Sequence, residues 1–483
     1  MHIVANTHDI VLGEVVIPAI PDDPETTDVD ESEPQQLLGY SFVNRGGIGA
    51  TGDLDGVDTT GLRIDGTGGF TTTLSDGMLN LGSIATTTYG TTAKPAVGTT
   101  FAIGEGAIIP VLNNSGALRA TSVGIGGTAR ALVIEAGGSM PSLINHGDLA
   151  AISTGGGSVI AVRDFSGTLT SVANTGTIRA LYGEPDEDVT AVPYESVALD
   201  LQMASAATLV HQYLSADAAD DAVVSIIGDI LFGDFDDTLR VETGSVIGDV
   251  SFGAGADNLI ISGDAIVSGA LSDADGDLAI SVDNGQLTLA ATTDATISEA
   301  RFGDGSVLRF QVDHETNIAA SLNATGTVTF EAGSRISSAL TNLIGEGATF
   351  VVLTADSLVI EEALDQLQDT TAPYLYEAAL NFDPNNSNAL TLTLQRRTAE
   401  QLGMNANQAA AYEASYAGWQ GNADLGAAIA SLTTGSEFFQ AYDQLLPEYA
   451  SSAIQFALAT NDSAVGALAN RLDAVRRRPD NTG

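Results

Sequence analysis

The chain has no cysteine, and only one of its 17 basic residues, Lys94, is a lysine. The first absence removes disulfides, thiolate catalysis and cysteine-type zinc or iron–sulfur sites together. The second is set against 62 Asp and Glu and a net charge of −45. That balance excludes nucleic acid as the main partner and leaves no polybasic patch for an anionic membrane surface. No apolar run reaches the roughly eighteen residues of a membrane span. No basic segment leads into an apolar one at the start, where His8, Asp9 and Glu14 interrupt, so Met1 opens no secretory signal. On these grounds the chain is expected to be cytoplasmic, or a processed or cloned piece of an exported protein.

Charged residues make up 16% of the chain, while apolar residues at 44% suffice for a core. With 53 glycines, the polar surface must come largely from Thr, Ser, Asn and Gly, the composition of many short strands and turns. Residues 10 to 17 are β-rich enough for one strand. Residues 18 to 36 carry Pro18, Pro21, Pro24 and Pro34 with seven acids and no base, which predicts an extended, solvated loop.

From Tyr40 onward a pattern recurs: Asn-x-Gly flanked by apolar residues. It stands at Asn44, Asn80, Asn114, Asn145 and Asn174, at spacings of 36, 34, 31 and 29. Two positions before each Asn are Phe42, Met78, Leu112, Leu143 and Val172; four after it are Ile48, Ile84, Leu118, Leu149 and Ile178. A second block repeats every twenty residues, Ile227-Gly228-Asp229 against Ile247-Gly248-Asp249, through Asp237 and Asp257, Leu239 and Leu259, with a looser third copy at 268–278. Between turns, apolar residues alternate in twos, as strands do. Periods of this length, built of short strands and Gly/Asn corners, predict an all-β chain folded as a right-handed parallel β-helix of about ten to fifteen coils, roughly 50 to 70 Å long at the usual strand spacing. The recurrent Asn is expected at a corner, where it tolerates a left-handed conformation and can stack its amide on that of the next coil.

After about residue 340 the texture changes. Asp383-Pro384-Asn385-Asn386 reads as a hairpin turn. Beyond Arg397 the steps of three and four between Tyr412, Tyr416 and Trp419, and again from 436 to 475, predict a small C-terminal α-helical segment. The division expected is 1–39, an N-terminal strand and acidic linker; 40–341, the β-helix; 342–398, a β cap; and 399–483, a helical linker.

The order of these parts carries a resemblance. The run Thr349-Phe350-Val351-Val352-Leu353-Thr354-Ala355, the turn-bearing strand pair, Arg396-Arg397-Thr398-Ala399-Glu400-Gln401-Leu402-Gly403 and Tyr442-Asp443-Gln444-Leu445-Leu446-Pro447-Glu448-Tyr449 resemble the passenger half of a bacterial autotransporter, over about residues 40 to 478. The resemblance implies export through the periplasm, display at the cell surface and a tether to the outer membrane through a C-terminal β-barrel. It further implies an autochaperone-like role for 342–398 and a linker to the barrel for 399–483. The chain departs from the family at both ends, lacking the signal peptide and stopping before barrel strands.

Chemistry-bearing groups are scarce. His2, His8, His146, His211 and His314 have no partner at metal or catalytic spacing, and no serine or P-loop nucleotide motif is present. His146, inside an Asn-x-Gly corner, reads as a solvent-facing turn residue. The acids are the one candidate site: Asp234, Asp236, Asp237, Asp257, Asp273, Asp275 and Asp277 recur near equivalent corners. Hard oxygen ligands stacked at coil spacing are suited to Ca²⁺, with Asp236, Asp237, Asp257 and Asp277 as the calcium candidates; the other reading is a solvated acidic face. Tyr412, Tyr416, Trp419, Phe438, Phe439 and Tyr442 form either a partner groove or the helical segment's own core. The expected function is a surface-displayed structural or adhesive module without catalysis or cofactor, meeting a cell-surface or matrix ligand or self-associating. The alternatives are the stalk of a hydrolase whose catalytic domain lies elsewhere, and a surface-layer component bridged by divalent cations.

Overall fold

A computed structural model of the protein describes residues 1–17, 36–185, 194–216, 218–219, 222–313, 318–341, 343, 345, 347–368 and 373–446. The prolines and acids of the expected loop, His314 and the helical run beyond Leu446 lie outside the described residues.

Short strands stack into three long sheets. The first, of nine strands, begins at His2–Ala5 and ends at Leu271–Ser272; the second extends from Gly47–Thr51 to Arg335–Leu340; the third, of twelve, spans Phe42–Asn44 to Ser357–Ile360. Apart from the short strand Ile318–Ala319, which pairs antiparallel with Val307–Asp313, each strand pairs in parallel with the strand one coil away, Leu112 with Met78 and Leu143, Leu239 with Val210 and Leu259. The expected parallel β-helix is the fold. Twelve strands in the third sheet make a rod about 50 Å long at the usual 4.8 Å spacing.

The alternating pattern explains the stacking. In Val111–Asn114, Leu112 and Asn114 are buried while Val111 and Asn113 are half-buried. Met78, Leu112, Leu143 and Val172 form one inward column of the third sheet, and Ile84, Leu118, Leu149 and Ile178 one of the second. A lone coil would leave these side chains wet; stacking buries each against its own copies, for about 1.5–3 kcal/mol per residue. Coils of thirty or more residues are long because their strands overrun the main core. Ala120, Ala129, Ala151, Val159 and Ala180 fill a second, narrow core there, where only small side chains fit.

The recurrent Asn residues form a buried amide ladder. Asn44 Nδ2 donates to Asn80 Oδ1 at 2.7 Å, Asn80 to Asn114 at 2.7 Å, Asn114 to Asn145 at 2.8 Å and Asn145 to Asn174 at 2.9 Å. The left-handed conformation that Asn tolerates is not used by them, since Asp264 and Asn284 are the non-glycine residues with positive φ among the described residues. The ladder asparagines end strands with their side chains turned inward. The glycine two residues later is required by close approach: a Cβ on Gly82, Gly116, Gly147 or Gly176 would lie 2.0–2.3 Å from the carbonyl oxygen of the preceding coil's glycine.

Two of the three expected boundaries, 39/40 and 341/342, are crossed by continuous ladders. His2–Ala5 lies on Arg63–Gly66 and Ile10–Leu12 on Thr72–Leu74, so residues 2–12 belong to the first coil. At the other end, Ala348–Thr354 and Ser357–Ile360 still pair in parallel with the coil before them. The change comes with the hairpin Tyr376–Asp383 and Asn386–Arg396, which pairs antiparallel with Ala348–Thr354. Its turn spans Asp383 to Asn386, as the sequence suggests.

Among the described residues four helices follow the last coils: α1 (Leu364–Leu367), α2 (Ala406–Gln420), α3 (Ala423–Ala430) and α4 (Gly435–Leu445). Asn405 with Gln408, and Thr434 with Glu437, close reciprocal capping boxes on α2 and α4. Tyr412 Oη donates to the Arg397 carbonyl at 3.1 Å, and the Arg396 guanidinium lies 4.2 Å from the Tyr416 ring centre. The helical segment is thereby fastened to the hairpin. Among the described residues no helix is long and apolar enough to cross a membrane.

Candidate functional site

The acids gather where the chain turns from the first sheet into the third, in coils of about twenty residues. The first two of these turns each follow a buried phenylalanine, and Phe232 stacks on Phe252 with ring centres 5.0 Å apart. This fixes the turns 234–237 and 254–257 one above the other. Asp237 and Asp257 then point inward, 0% and 1% exposed, while Asp234 and Asp236 face solvent.

Register decides which carboxylates share a column. Thr208, Asp237 and Asp257 immediately precede paired strands, and the residue equivalent to them in the next coil is the buried Leu278. One extra residue in that coil shifts Asp277 out of the column, and it is exposed. In Asp277's stead, Asp273 Oδ2 accepts the Leu278 N–H at 3.1 Å. Of the four calcium candidates, then, Asp237 and Asp257 stack inside while Asp236 and Asp277 stand outside. Among the described residues no three of His, Asp or Glu are gathered so as to hold a metal ion.

The carboxylates serve the backbone. Asp237 Oδ1 accepts the Thr208 N–H at 2.6 Å and Asp257 Oδ1 the Asp237 N–H at 2.7 Å. On the outer side, Asp229 accepts from Asp249 N–H at 2.9 Å, Asp249 from Ala270 at 2.7 Å, Asp236 from Ala256 at 3.0 Å and Asp275 from Gly255 at 3.0 Å. These amides sit at corners, where the strand ladder supplies no carbonyl, so each would otherwise lack an acceptor. The twenty-residue recurrence of acids follows from the coil length. Burial pushes the Asp237, Asp257 and Asp273 carboxyls above the usual range, Asp257 to about 6, with the charges of neighbouring aspartates adding to it.

A shallow groove of about 420 Å³ on the outer face of the third sheet was not foreseen. It is lined by outward-facing residues of four consecutive coils, among them Asn258, Ile260, Ser281, Glu299, Arg301 and Thr329. Arg301 is bidentate on Glu331, at 2.7 and 2.8 Å, and reaches Asp283 at 3.2 Å, which leaves the groove without free positive charge. Its only trace in sequence is the polar half of the strand alternation.

The histidines are dispersed. His146 is exposed, with Nδ1 2.6 Å from Thr175 Oγ1; His2 pairs with Asp65 at 2.8 Å, and His211 lies 3.2 Å from Glu242. The aromatic residues of the helical end turn inward: Tyr412, Tyr416, Trp419, Phe438 and Tyr442 are at most 3% exposed, and Phe439 packs against them. They form that segment's core instead of a groove. No protein-family model matches the chain, and no curated protein matches its sequence.

Proposed function

We propose that the protein is a surface-displayed structural or adhesive β-helix, the passenger portion of an autotransporter. The observation that carries this reading is the order of parts along one axis. An unbroken stack of coils is followed by an antiparallel hairpin that closes the last coil's edge, and then by a helical segment docked on that hairpin. Such a rod holds a surface at a distance and presents the same outward face coil after coil, which suits presentation and multivalent contact. Its corner carboxylates and ladder amides are engaged with the backbone and with one another, a use that builds stiffness.

The test is the full reading frame together with its location. The reading expects a secretory signal upstream and alternating barrel strands downstream. It also expects intact Gram-negative cells carrying the whole gene to lose this segment to external protease. A frame lacking both flanking parts, with the segment protected until lysis, overturns it. Adhesion is tested by saturable binding of the purified chain to matrix-coated surfaces.

A further inference from the structure

Asp237, Asp257 and Asp273 share a feature that the outer acids do not. Each gives one oxygen to a backbone N–H, and the other oxygen, Asp237 Oδ2, Asp257 Oδ2 or Asp273 Oδ1, is buried without a hydrogen-bond partner. An ionised carboxylate is an acceptor only, and burying it with empty acceptor positions is costly unless a cation or further donors surround it.

Among the described residues no basic group faces this corner. The groups acting on Asp257 are the Asp237 backbone N–H and the carboxylates of Asp237, Asp273 and Asp275. Those on Asp237 are Thr208, the Gly233 amide and Asp236, and those on Asp273 are Asp275 and the amides of Ala274, Gly276 and Leu278. The preceding coil contributes the uncharged Thr208 and the following coil the apolar Leu278. The orphaned oxygens are too enclosed for a hydrated ion, each exposing less than 1 Å², and among the described residues no three ligands converge. A proton is the partner that fits.

We propose that the Asp237–Asp257–Asp273 corner is a proton-binding site that tightens the coils between Thr208 and Leu278 when the surroundings turn acid. Protonation turns an acceptor with nothing to accept from into an O–H donor and removes one like charge from the set. Burial first, and the neighbouring carboxylates after it, raise the Asp257 carboxyl to about 6. A group whose pKa is higher in the folded than in the unfolded chain binds its proton more tightly when folded. Its contribution to stability therefore appears as pH falls through about 6, is complete below the ordinary carboxylate range, and is lost above 6.

Asp257→Asn tests this, because an amide mimics the protonated carboxyl while its Oδ1 can still accept the Asp237 N–H. The variant is expected to melt above the wild type at pH 7.5, by less at pH 5, and level with it only below about pH 4, so the gap between the two narrows on acidification. Independently, ¹³C-carboxyl titration of the wild type, with the Asp257 signal identified by its absence in the variant, should show a midpoint near 6. If the variant does not fold, Asp257→Glu identifies the signal by its shift. Two results overturn the proposal: an Asp257 midpoint at or below about 4, the ordinary value, or a variant less stable than the wild type at pH 7.5. A rise in wild-type melting temperature with millimolar Ca²⁺ at matched ionic strength, absent in the variant, would overturn it in favour of a cation site.

Discussion

Asn174 Nδ2 donates to Gln212 Oε1 at 3.1 Å, and with that bond the buried amide column passes from asparagine to a longer side chain. Gln212 Nε2 then ends the run on the Thr243 carbonyl at 2.8 Å. Beyond it the same column is apolar, Val241, Ile261, Val282, Phe302 and Phe330 in register. Gln212 is the adaptor, long enough to return the last donor to the backbone so that no amide faces Val241.

A member inside this column has partners on both sides, and one at its edge has a single ladder neighbour. Asn145→Ala removes the acceptor for Asn114 Nδ2 and the donor to Asn174 Oδ1 together. Two broken hydrogen bonds with polar groups left buried should cost about 2–3 kcal/mol. Asn44→Ala breaks one ladder bond at the outermost coil and should cost no more than about 1 kcal/mol. Urea unfolding of both variants checks the difference, and equal losses would show that the amides act singly.

The β-helix was legible because its repeat has a physical cause. The Asn-x-Gly spacing shows coil length directly, and the apolar residues at two before and four after each Asn are the two inward columns. The conformation of the asparagines was not legible, since Asn is common both in left-handed turns and in amide ladders, and only the register of neighbouring coils tells them apart. The acidic corner was half legible. A twenty-residue recurrence brings Asp237 over Asp257, but the single extra residue that moves Asp277 outward is invisible until the strands are paired. The ring cluster of the helical end was legible as core from spacing, whereas the Arg301 groove arises from side chains of coils twenty to thirty residues apart.

The glycine stack makes a prediction of its own. A Cβ on Gly116 would stand 2.0 Å from the Gly82 carbonyl oxygen, whereas one on Gly46, at the outermost coil, meets nothing within 4 Å. Gly116→Ala must push two coils apart and should cost about 1–3 kcal/mol as an overpacked site does. Gly46→Ala should change stability by less than about 0.5 kcal/mol. Thermal melts of the pair decide it.

The chain has a single tryptophan, Trp419, buried between Tyr416, Phe438 and Tyr442, so its fluorescence reports on the helical segment alone. Tyr416→Phe removes the hydroxyl contact with Tyr376, 2.5 Å long, that joins α2 to the hairpin. The fluorescence transition in urea should move to lower denaturant by the equivalent of about 1 kcal/mol, while the circular dichroism of the strands keeps its midpoint. If both signals move together, the helices and the solenoid unfold as one unit.

The two ends of the rod differ in what covers them. Phe42–Asn44 and Gly47–Thr51 are the outermost strands of their sheets at one end, each paired on one side. At the other end Ala348–Thr354 is paired by the hairpin, whose Leu390, Leu392 and Leu394 are buried, and the helices pack behind it. In a solenoid, stability is a sum of coil terms and neighbour terms, so a coil with one neighbour opens first. Hydrogen exchange is therefore expected to show the strongest protection between about residues 300 and 398 and a graded loss toward residues 42–51. Leu392→Asp should erase that gradient: a charge in the hairpin's apolar face detaches the cap, leaves Ala348–Thr354 as an open edge, and gives a chain that refolds slowly and aggregates. Uniform protection along the wild-type rod, or a Leu392→Asp variant that refolds at the parental rate without aggregation, would refute the view that the hairpin holds the stack closed.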